Sequence, residues 1–496
     1  MSKQRSRRVL HCAAEFFPFV KTGGLADVVA ALPGAQRQLG TDARVVLPGF
    51  PAVMAALQQP ESVVELGSVF GCGRLCIWRG ELGSGRQPVY VVDAPFFYGR
   101  NGGPYQDAQG QDWPDNGPRF ALLGWVAAQL ASGALDPHWA AEVLHAHDWH
   151  SALALVYLKA HPGAPVSGIF TIHNLAYQGL FALSDHALLG LSSRWLTPQG
   201  LEFHGQLSFM KGGLNFADHI TTVSPTYAQE ILHPERGEGL QGVLRHRASH
   251  LSGILNGIDL QVWDPATDSH LPEVFDAQNL AGKAVCKRAV LQEAQLQPGD
   301  GPLMVCIGRM STQKGLDLLL QCLPALVEMG YRVIVQGSGD PTLESAVQAE
   351  SRLLPGRVQA YVGYDEARAH RLMAAADVVA VPSRFEPCGL TQMYGMRYGA
   401  LPLVRRTGGL ADTVGDVSQR GDDDRLGPGF VFEAMTSQAL LSAASRAQMA
   451  YEKESSQWQA WVQQAMSQRH GWLEPAKQYQ ALYETSSPTH ASATWQ

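Results

Sequence analysis

Residues 8–47 read RVLHCAAEFFPFVKTGGLADVVAALPGAQRQLGTDARVVL, and the order of their apolar runs decides the fold. Arg8–Ala14 is apolar over the length of a strand. Leu25–Leu39 carries apolar residues at helical spacing, and Ala43–Leu47 is a second strand-length run. Strand, glycine turn, helix and strand make the alternation of a parallel sheet covered by helices. The rhythm continues at Glu142–Ala146, Ser167–Ile172 and His219–Val223. It pauses at Leu255-Asn256-Gly257-Ile258-Asp259 and in polar, proline-containing sequence to about Asp276. It resumes with a strand at Leu303–Ile307, a helix at Gly315–Leu323, and strands at Arg332–Gln336, Val358–Val362, Val378–Val381 and Leu401–Val404. The expected class is α/β: two Rossmann-like, doubly wound parallel-sheet domains, residues 1–255 and 256–472. Ligands of such sheets bind beyond the carboxyl ends of the strands, so the strand-to-loop junctions are where chemistry is sought.

Composition fits that reading. A chain of 496 residues exceeds one hydrophobic core, and 45% apolar with 17% charged residues is the balance of a globular protein. The net charge of −7 is spread along the chain, with no basic stripe for nucleic acid or an anionic membrane. The seven cysteines (Cys12, Cys72, Cys76, Cys286, Cys306, Cys322 and Cys388) form no CxxC pair. Free thiols in a reducing, cytoplasmic compartment are expected. The basic start MSKQRSRRVL leads into a strand rather than a signal-peptide apolar region, and no apolar run approaches the roughly 20 residues of a membrane span. The polar tail from Ser486 onward is expected to fray.

Several junctions carry chemistry-bearing residues. Thr22–Val29 (TGGLADVV) and Thr407–Val414 (TGGLADTV) agree at seven of eight positions, although the two halves are not otherwise repeats. Gly23 and Gly24 permit a tight turn whose helix N-terminal amides can meet an anion, with Lys21 before them and Asp27 after them. A turn used twice for packing is the plain alternative. Arg309 and Lys314 project from Gly308-Arg309-Met310-Ser311-Thr312-Gln313-Lys314-Gly315, beyond the first strand of the second half. Together they can stabilise a departing diphosphate without a metal. Glu386-Pro387-Cys388-Gly389-Leu390-Thr391 follows Val378–Val381, with Pro387 placed as in a helix's first turn. The amides of Gly389 to Thr391 could then face a ligand, beside the Glu386 carboxylate. His173 and Asn174 close the strand Ser167–Ile172, as either sugar-site or structural residues. His145, His147, Asp148 and His150 invite a metal reading, but Asp148 equally suits a cap before a helix at Trp149–Lys159. Asp422-Asp423-Asp424 reads as solvated charge. No metal and no other cofactor are expected.

The segments KTGGLADVV, HDWH, TIHNLAYQG, LNGID, GRMSTQKG and EPCGLTQMYGMRYG occur in the order found in bacterial glycogen synthases and plant starch synthases. The chain resembles that family over nearly its whole length. The resemblance implies the GT-B fold with a deep inter-domain cleft, and a retaining hexosyltransferase that moves glucose from ADP-glucose to glycogen or another α-1,4-glucan. It also implies a C-terminal helix, within Pro475–Tyr483 of residues 473–496, that returns to the first domain. Carried over position by position, it makes Lys21 and Asp27 donor-site residues and makes Arg309 and Lys314 the diphosphate pair. Glu386 becomes the essential carboxylate, with the amides of Cys388, Gly389, Leu390 and Thr391 nearby. His173 and Asn174 line the glucose pocket, the His173 carbonyl facing the anomeric carbon. Asp148 lies near donor and acceptor, Tyr98 and Asn256 are further cleft positions, and Tyr364 lies beside adenine.

Many other retaining GT-B enzymes place a second glutamate eight residues after the first, where this chain has Tyr394. That departure matches the glycogen and starch synthase pattern. The expected mechanism has the acceptor attack from the face the leaving group departs, with a diphosphate oxygen taking its proton. The same fold with UDP-glucose or another acceptor remains open, as does a non-enzymatic sugar-binding protein.

Overall fold

The computed structural model describes residues 6–160, 165–418, 426–453 and 455–486. Asp422–Asp424 and the tail beyond Ser486 lie outside the described residues. The chain divides into two compact units, Met1–Ile254 with Trp472–Gln496, and Leu255–Gly471.

Among the described residues, the first unit is built on a nine-stranded sheet. Its strands are β1 (Arg8–Cys12), β2 (Asp42–Pro48), β3 (Gln58–Leu66), β4 (Leu75–Leu82), β5 (Gln87–Asp93), β6 (Val143–His147), β7 (Ser167–Ile172), β11 (His219–Thr222) and β12 (Leu251–Gly253). A separate antiparallel sheet holds β8 (Leu180–Ala182), β9 (Glu202–Phe203) and β10 (Gln206–Ser208). The large sheet runs β12-β11-β7-β6-β1-β2-β5-β4-β3. Its pairs from β12 to β5 are parallel, but β5 with β4 and β4 with β3 are antiparallel. The expected parallel sheet thus carries an antiparallel edge. The connections 67–74 and 83–86 fall short of the roughly dozen residues a parallel crossover needs, so the chain turns back as hairpins.

Strand alternation sorts the sheet's faces. Leu10, Cys12, Leu144, Ala146, Phe170, Ile172 and Ile220 point into one core with helices Asn116–Ala131, Trp149–Ala160 and Phe209–Phe216. Val9, Val143 and Ile169 point the other way, against Val28 and Leu32 of helix Gly24–Gln38 and Ala476, Tyr479 and Tyr483 of the last helix, Leu473–Thr485. The last helix therefore completes the first unit's second layer beside helix Gly24–Gln38, and without it part of that sheet face would be open to water.

The second unit holds β13 (Leu303–Ile307), β14 (Arg332–Gly337), β15 (Val358–Val362), β16 (Val378–Val381), β17 (Leu401–Arg405), β18 (Val414–Asp416) and β19 (Gly427–Phe432). They lie in the order β15-β14-β13-β16-β17-β19-β18, every pair parallel. The helix after β13 spans Leu316–Glu328, and Gly315 is its left-handed N-cap at φ 69°. A Cβ at Gly315 would overlap the Pro382 carbonyl oxygen beyond β16. Glycine there lets the loops after β13 and β16 touch.

The role of the last helix can be measured. Tyr479, 1% exposed, should cost about 3–5 kcal/mol when truncated to alanine. Denaturant unfolding of Tyr479→Ala followed by probes in each unit should show an earlier transition in the first unit alone. An unchanged first-unit transition would show that the helix does not carry that layer.

Candidate functional site

In the second unit the loops after β13 and β16 line one pocket, with Arg309, Lys314, Ser383 and Thr391 on its wall. The Lys314 ammonium donates to Glu386 Oε2 at 2.6 Å, and Ser383 Oγ donates to the same oxygen at 2.8 Å. Glu386 is buried and Lys314 about one-third exposed, so the carboxylate is fixed from two sides while the cation stays open to a ligand. Arg309 is exposed at the same rim. Among the sequence-selected groups here, the structure thus joins Arg309, Lys314, Glu386 and Thr391 into one locus of opposite charges.

The loop carrying Glu386 rests on the second TGGLAD turn. The Gly409 amide donates to the Glu386 carbonyl at 3.1 Å. A Cβ at Gly408 would overlap that carbonyl oxygen, and one at Gly409 would overlap the Cys388 backbone. The second copy's glycines are therefore required by close backbone approach. Pro387 does not begin a helix: the helix spans Thr391–Arg397, capped by Leu390, and Pro387 sits in the preceding loop. Gly389 takes φ 74° in that loop. Cys388 is buried, its thiol pushed up to about 12 by burial, and the Asn256 backbone amide donates to its sulfur. Asn256 is itself buried, and its Oδ1 has no hydrogen-bond partner among the described residues. Tyr394 stacks on Trp263 at 3.9 Å between ring centroids, and His370 stacks on Trp263 at 3.8 Å. The residue at the second-glutamate position thus belongs to an aromatic stack. Tyr364 is exposed after β15, its hydroxyl bonded to Glu366.

In the first unit, the first TGGLAD turn is held by a carboxylate. Glu15 accepts from the Thr22 amide at 2.7 Å, from Thr22 Oγ1 at 2.5 Å and from the Tyr105 hydroxyl at 2.6 Å. Lys21 pairs with Asp27 Oδ1 at 3.0 Å and lies 4.7 Å from the centre of the Phe17 ring. Gly23 is the extended N-cap of helix Gly24–Gln38. Asp148 is not a side-chain cap of the following helix, Trp149–Ala160. It turns left-handed at φ 60° and accepts from the amides of His173 at 3.0 Å and Asn174 at 3.4 Å. Burial raises its carboxyl to about 7 against the pull of those two amides. It is the carboxylate that shapes the turn after β7. Tyr98 is 1% exposed and donates to the Arg119 carbonyl at 2.6 Å.

The histidines selected from the sequence do not gather as one set. His150 stacks on Tyr105 at 4.6 Å. His145 and His147, two apart on β6, share a face with His11 of β1. Ring nitrogens link them: His173 Nε2 to His147 Nδ1 at 3.0 Å, His147 Nε2 to His11 Nδ1 at 3.0 Å, and His11 Nε2 to Gln36 Oε1 at 2.8 Å. Gln36 Nε2 donates to the Tyr483 hydroxyl at 3.0 Å, which is 2.8 Å from His145 Nδ1. His145 Nε2 is 2.6 Å from Thr171 Oγ1, itself 2.5 Å from Thr221 Oγ1. Each nitrogen of His11, His145 and His147 is thus in a hydrogen bond. Burial lowers His11 to about 4 and His173 to about 3, and holds His145 and His147 well below the usual range, so these rings are neutral near pH 7. Glu15, Ser383, His11, Gln36 and Tyr483 were missed by sequence reading. The one signal was the period-2 spacing of His145 and His147, which places both on one sheet face.

Residues 8–246 match the model of the starch synthase catalytic domain, and residues 287–459 match that of glycosyl transferases group 1. The chain is 48% identical over 486 residues to a glycogen synthase of Leptothrix cholodnii, covering 96% of this chain and 99% of that one. It is 48% identical over 480 residues to a glycogen synthase of Edwardsiella ictaluri, with the same coverage. Among solved structures, the catalytic domain of starch synthase IV from Arabidopsis thaliana, bound to ADP and acarbose, superposes with a TM-score of 0.87 at 31% identity, covering 97% of this chain and 99% of that one. A sucrose-phosphate synthase from Thermosynechococcus elongatus shares the fold at a TM-score of 0.57 and 16% identity, covering 96% and 98%.

The raised Asp148 carboxyl has a measurable consequence. A carboxyl whose folded value lies above its unfolded one withholds stability as pH rises from about 4 through about 7. Asp148→Asn keeps an acceptor for the two amides and tolerates the left-handed backbone, but carries no charge. Its Tm should therefore gain about 2–4 °C on the native protein between pH 5 and pH 8. A pH-independent difference in thermal scans would refute the shift.

Proposed function

The chain belongs to the glycogen and starch synthase family, and on that premise we propose that it transfers glucose from ADP-glucose to the non-reducing 4-hydroxyl of an α-1,4-glucan, with retention at the anomeric carbon. The observation that carries this reading is the Lys314–Glu386 contact at 2.6 Å in the pocket that Arg309 lines. An ammonium has three donors, and the ion pair with Glu386 uses one. Lys314 can therefore hold a phosphate oxygen while Glu386 fixes its direction. Arg309 adds a second cation at the same rim. As the bond from glucose C1 to the diphosphate oxygen breaks, its electron pair goes to ADP, and the two cations stabilise the charge that develops there.

Lys314 and Ser383 both reach Glu386 Oε2, and Oε1 is assigned to a hydroxyl of the transferred glucose. The acceptor 4-hydroxyl bonds to C1 and passes its proton to the departing phosphate oxygen. Backbone groups of Cys388, Gly389, Leu390 and Thr391, with Asn256, support the sugar and phosphates, and Tyr364 is assigned to the adenine. In the first unit, Lys21, Gly23, Gly24 and Asp27 act at the donor, His173 and Asn174 at the glucose, and Asp148 holds the turn that carries them. A bound ADP in the Arabidopsis starch synthase IV structure supports the choice of nucleotide. The reading includes a cytoplasmic location and needs no metal.

Two experiments test this. Lys314→Ala and Arg309→Ala should each lower kcat by about 10²–10³-fold in an assay of nucleotide release with glycogen as acceptor. Turnover near that of the native protein in both variants would remove the electrostatic role. Purified protein offered ADP-glucose or UDP-glucose with a chelator present should release ADP and extend maltooligosaccharides. Preferential UDP release, or loss of activity on chelation, would overturn the donor assignment or the metal-free mechanism.

A further inference from the structure

The His173 ring enters the first unit's sheet from the loop after β7, and its Nε2 is the end of the hydrogen-bonded series described above. Its Nδ1 has no hydrogen-bond partner among the described residues. Every other link of the series is buried: His147 and His11 on adjacent strands, Gln36 on helix Gly24–Gln38, Tyr483 on the last helix, and His145 on β6.

Neutral imidazole carries one N–H and one lone pair, so a series of neutral rings has a direction. Gln36 is the member whose two ends differ chemically, since its carbonyl oxygen can only accept and its amide nitrogen can only donate. With Oε1 on His11, His11 must donate from Nε2, and its Nδ1 then accepts. His147 must donate from Nε2 and accept at Nδ1, which leaves His173 to donate from Nε2. On the other side, Gln36 Nε2 donates to the Tyr483 hydroxyl, whose own hydrogen goes to His145 Nδ1. His145 then donates from Nε2 to Thr171, and Thr171 donates to Thr221. Turning the single Gln36 amide over would reverse every one of these tautomers.

We propose that Gln36 is a positioning residue that fixes His173 as the Nε2–H tautomer, so that His173 Nδ1 is presented as a hydrogen-bond acceptor for a hydroxyl of the donor sugar. The proposal rests on the reading of His173 as a sugar-site residue. It adds to that reading which nitrogen faces the sugar and what sets it. Burial keeps the rings neutral, so no protonated imidazole interrupts the series near pH 7. Because Tyr483 belongs to the last helix, the docking of that helix and the state of His173 are parts of one network.

The test uses the full chain labelled with nitrogen-15 at histidine and long-range proton–nitrogen NMR, which distinguishes the two neutral tautomers. His173 signals are assigned by their loss in His173→Asn. In the native protein His11, His145, His147 and His173 should each show only the Nε2–H form. Gln36→Met removes the fixed acceptor, and His147→Leu cuts the series nearer His173, so if one variant fails to fold the other remains. Each should give a mixture of tautomers at His173. Each should also lower kcat about tenfold with less than a threefold change in donor KM, as expected for an interaction oriented for turnover.

An Nδ1–H form of His173 in the native protein, or a single Nε2–H form retained in both variants, would overturn the proposal. A tautomer mixture with unchanged kcat would overturn the positioning role. Failure of the native protein to transfer glucose from any nucleotide sugar would instead strike the functional reading, and the tautomer result would identify that case separately.

Discussion

A parallel sheet covered on both faces gives a polar side chain no water, so each one admitted must meet another polar group. That constraint organises the first unit. Along one sheet face β1 and β6 carry Val9 and Val143 toward their amino ends, and β1, β6 and β7 carry His11, His147 and Thr171 toward their carboxyl ends. The aliphatic ends pack against two helices. The polar ends, at the carboxyl side where such sheets bind ligands, satisfy one another through Gln36 and Tyr483. At the amino side both units use one device: Asp218 accepts from the Gly168 amide and pairs with Lys159, and Asp377 accepts from the Leu303 amide and pairs with Lys287. An aspartate just before a strand thus joins the start of the neighbouring strand to a lysine on a covering helix.

The two TGGLAD turns show how identical sequence serves different demands. The first is gripped from outside by the Glu15 carboxylate, which takes both the amide and hydroxyl of Thr22. The second is wedged under the Glu386–Cys388 backbone, where side chains on Gly408 or Gly409 would collide with it. One turn is therefore positioned by polar contacts around it, and the other positions the loop that bears Glu386. Removing Glu15 would unsettle the first turn, whereas the second is sensitive to any added Cβ.

Much of this was legible in the sequence. The strand at Leu303–Ile307 and those at Val358–Val362 and Val378–Val381 agree with their predicted bounds, because buried parallel strands are short, continuous apolar runs between turn residues. Arg309, Lys314 and Glu386 could be selected because strand ends in such sheets face ligands, and their loops carry charges that packing alone would not place there. The antiparallel edge β3–β5 was not recognised: β3 is exposed and largely polar and β4 turns polar in its second half, while β5, though a buried apolar run, carries no local sign of its neighbours' direction.

The sequence by itself determined the alternation of strands and helices, the two halves, the junctions where charged residues gather and the family. These depend on residues near one another in the chain and on motifs with fixed spacing. Only the tertiary structure decided that His11, Gln36, His147, His173 and Tyr483 form one hydrogen-bonded series. It alone showed that Asp148 serves the turn after β7, and that Gly409 serves Glu386. Those contacts join residues from 23 to 447 positions apart, and their partners are chosen by sheet order and the return of the last helix, which no local pattern encodes.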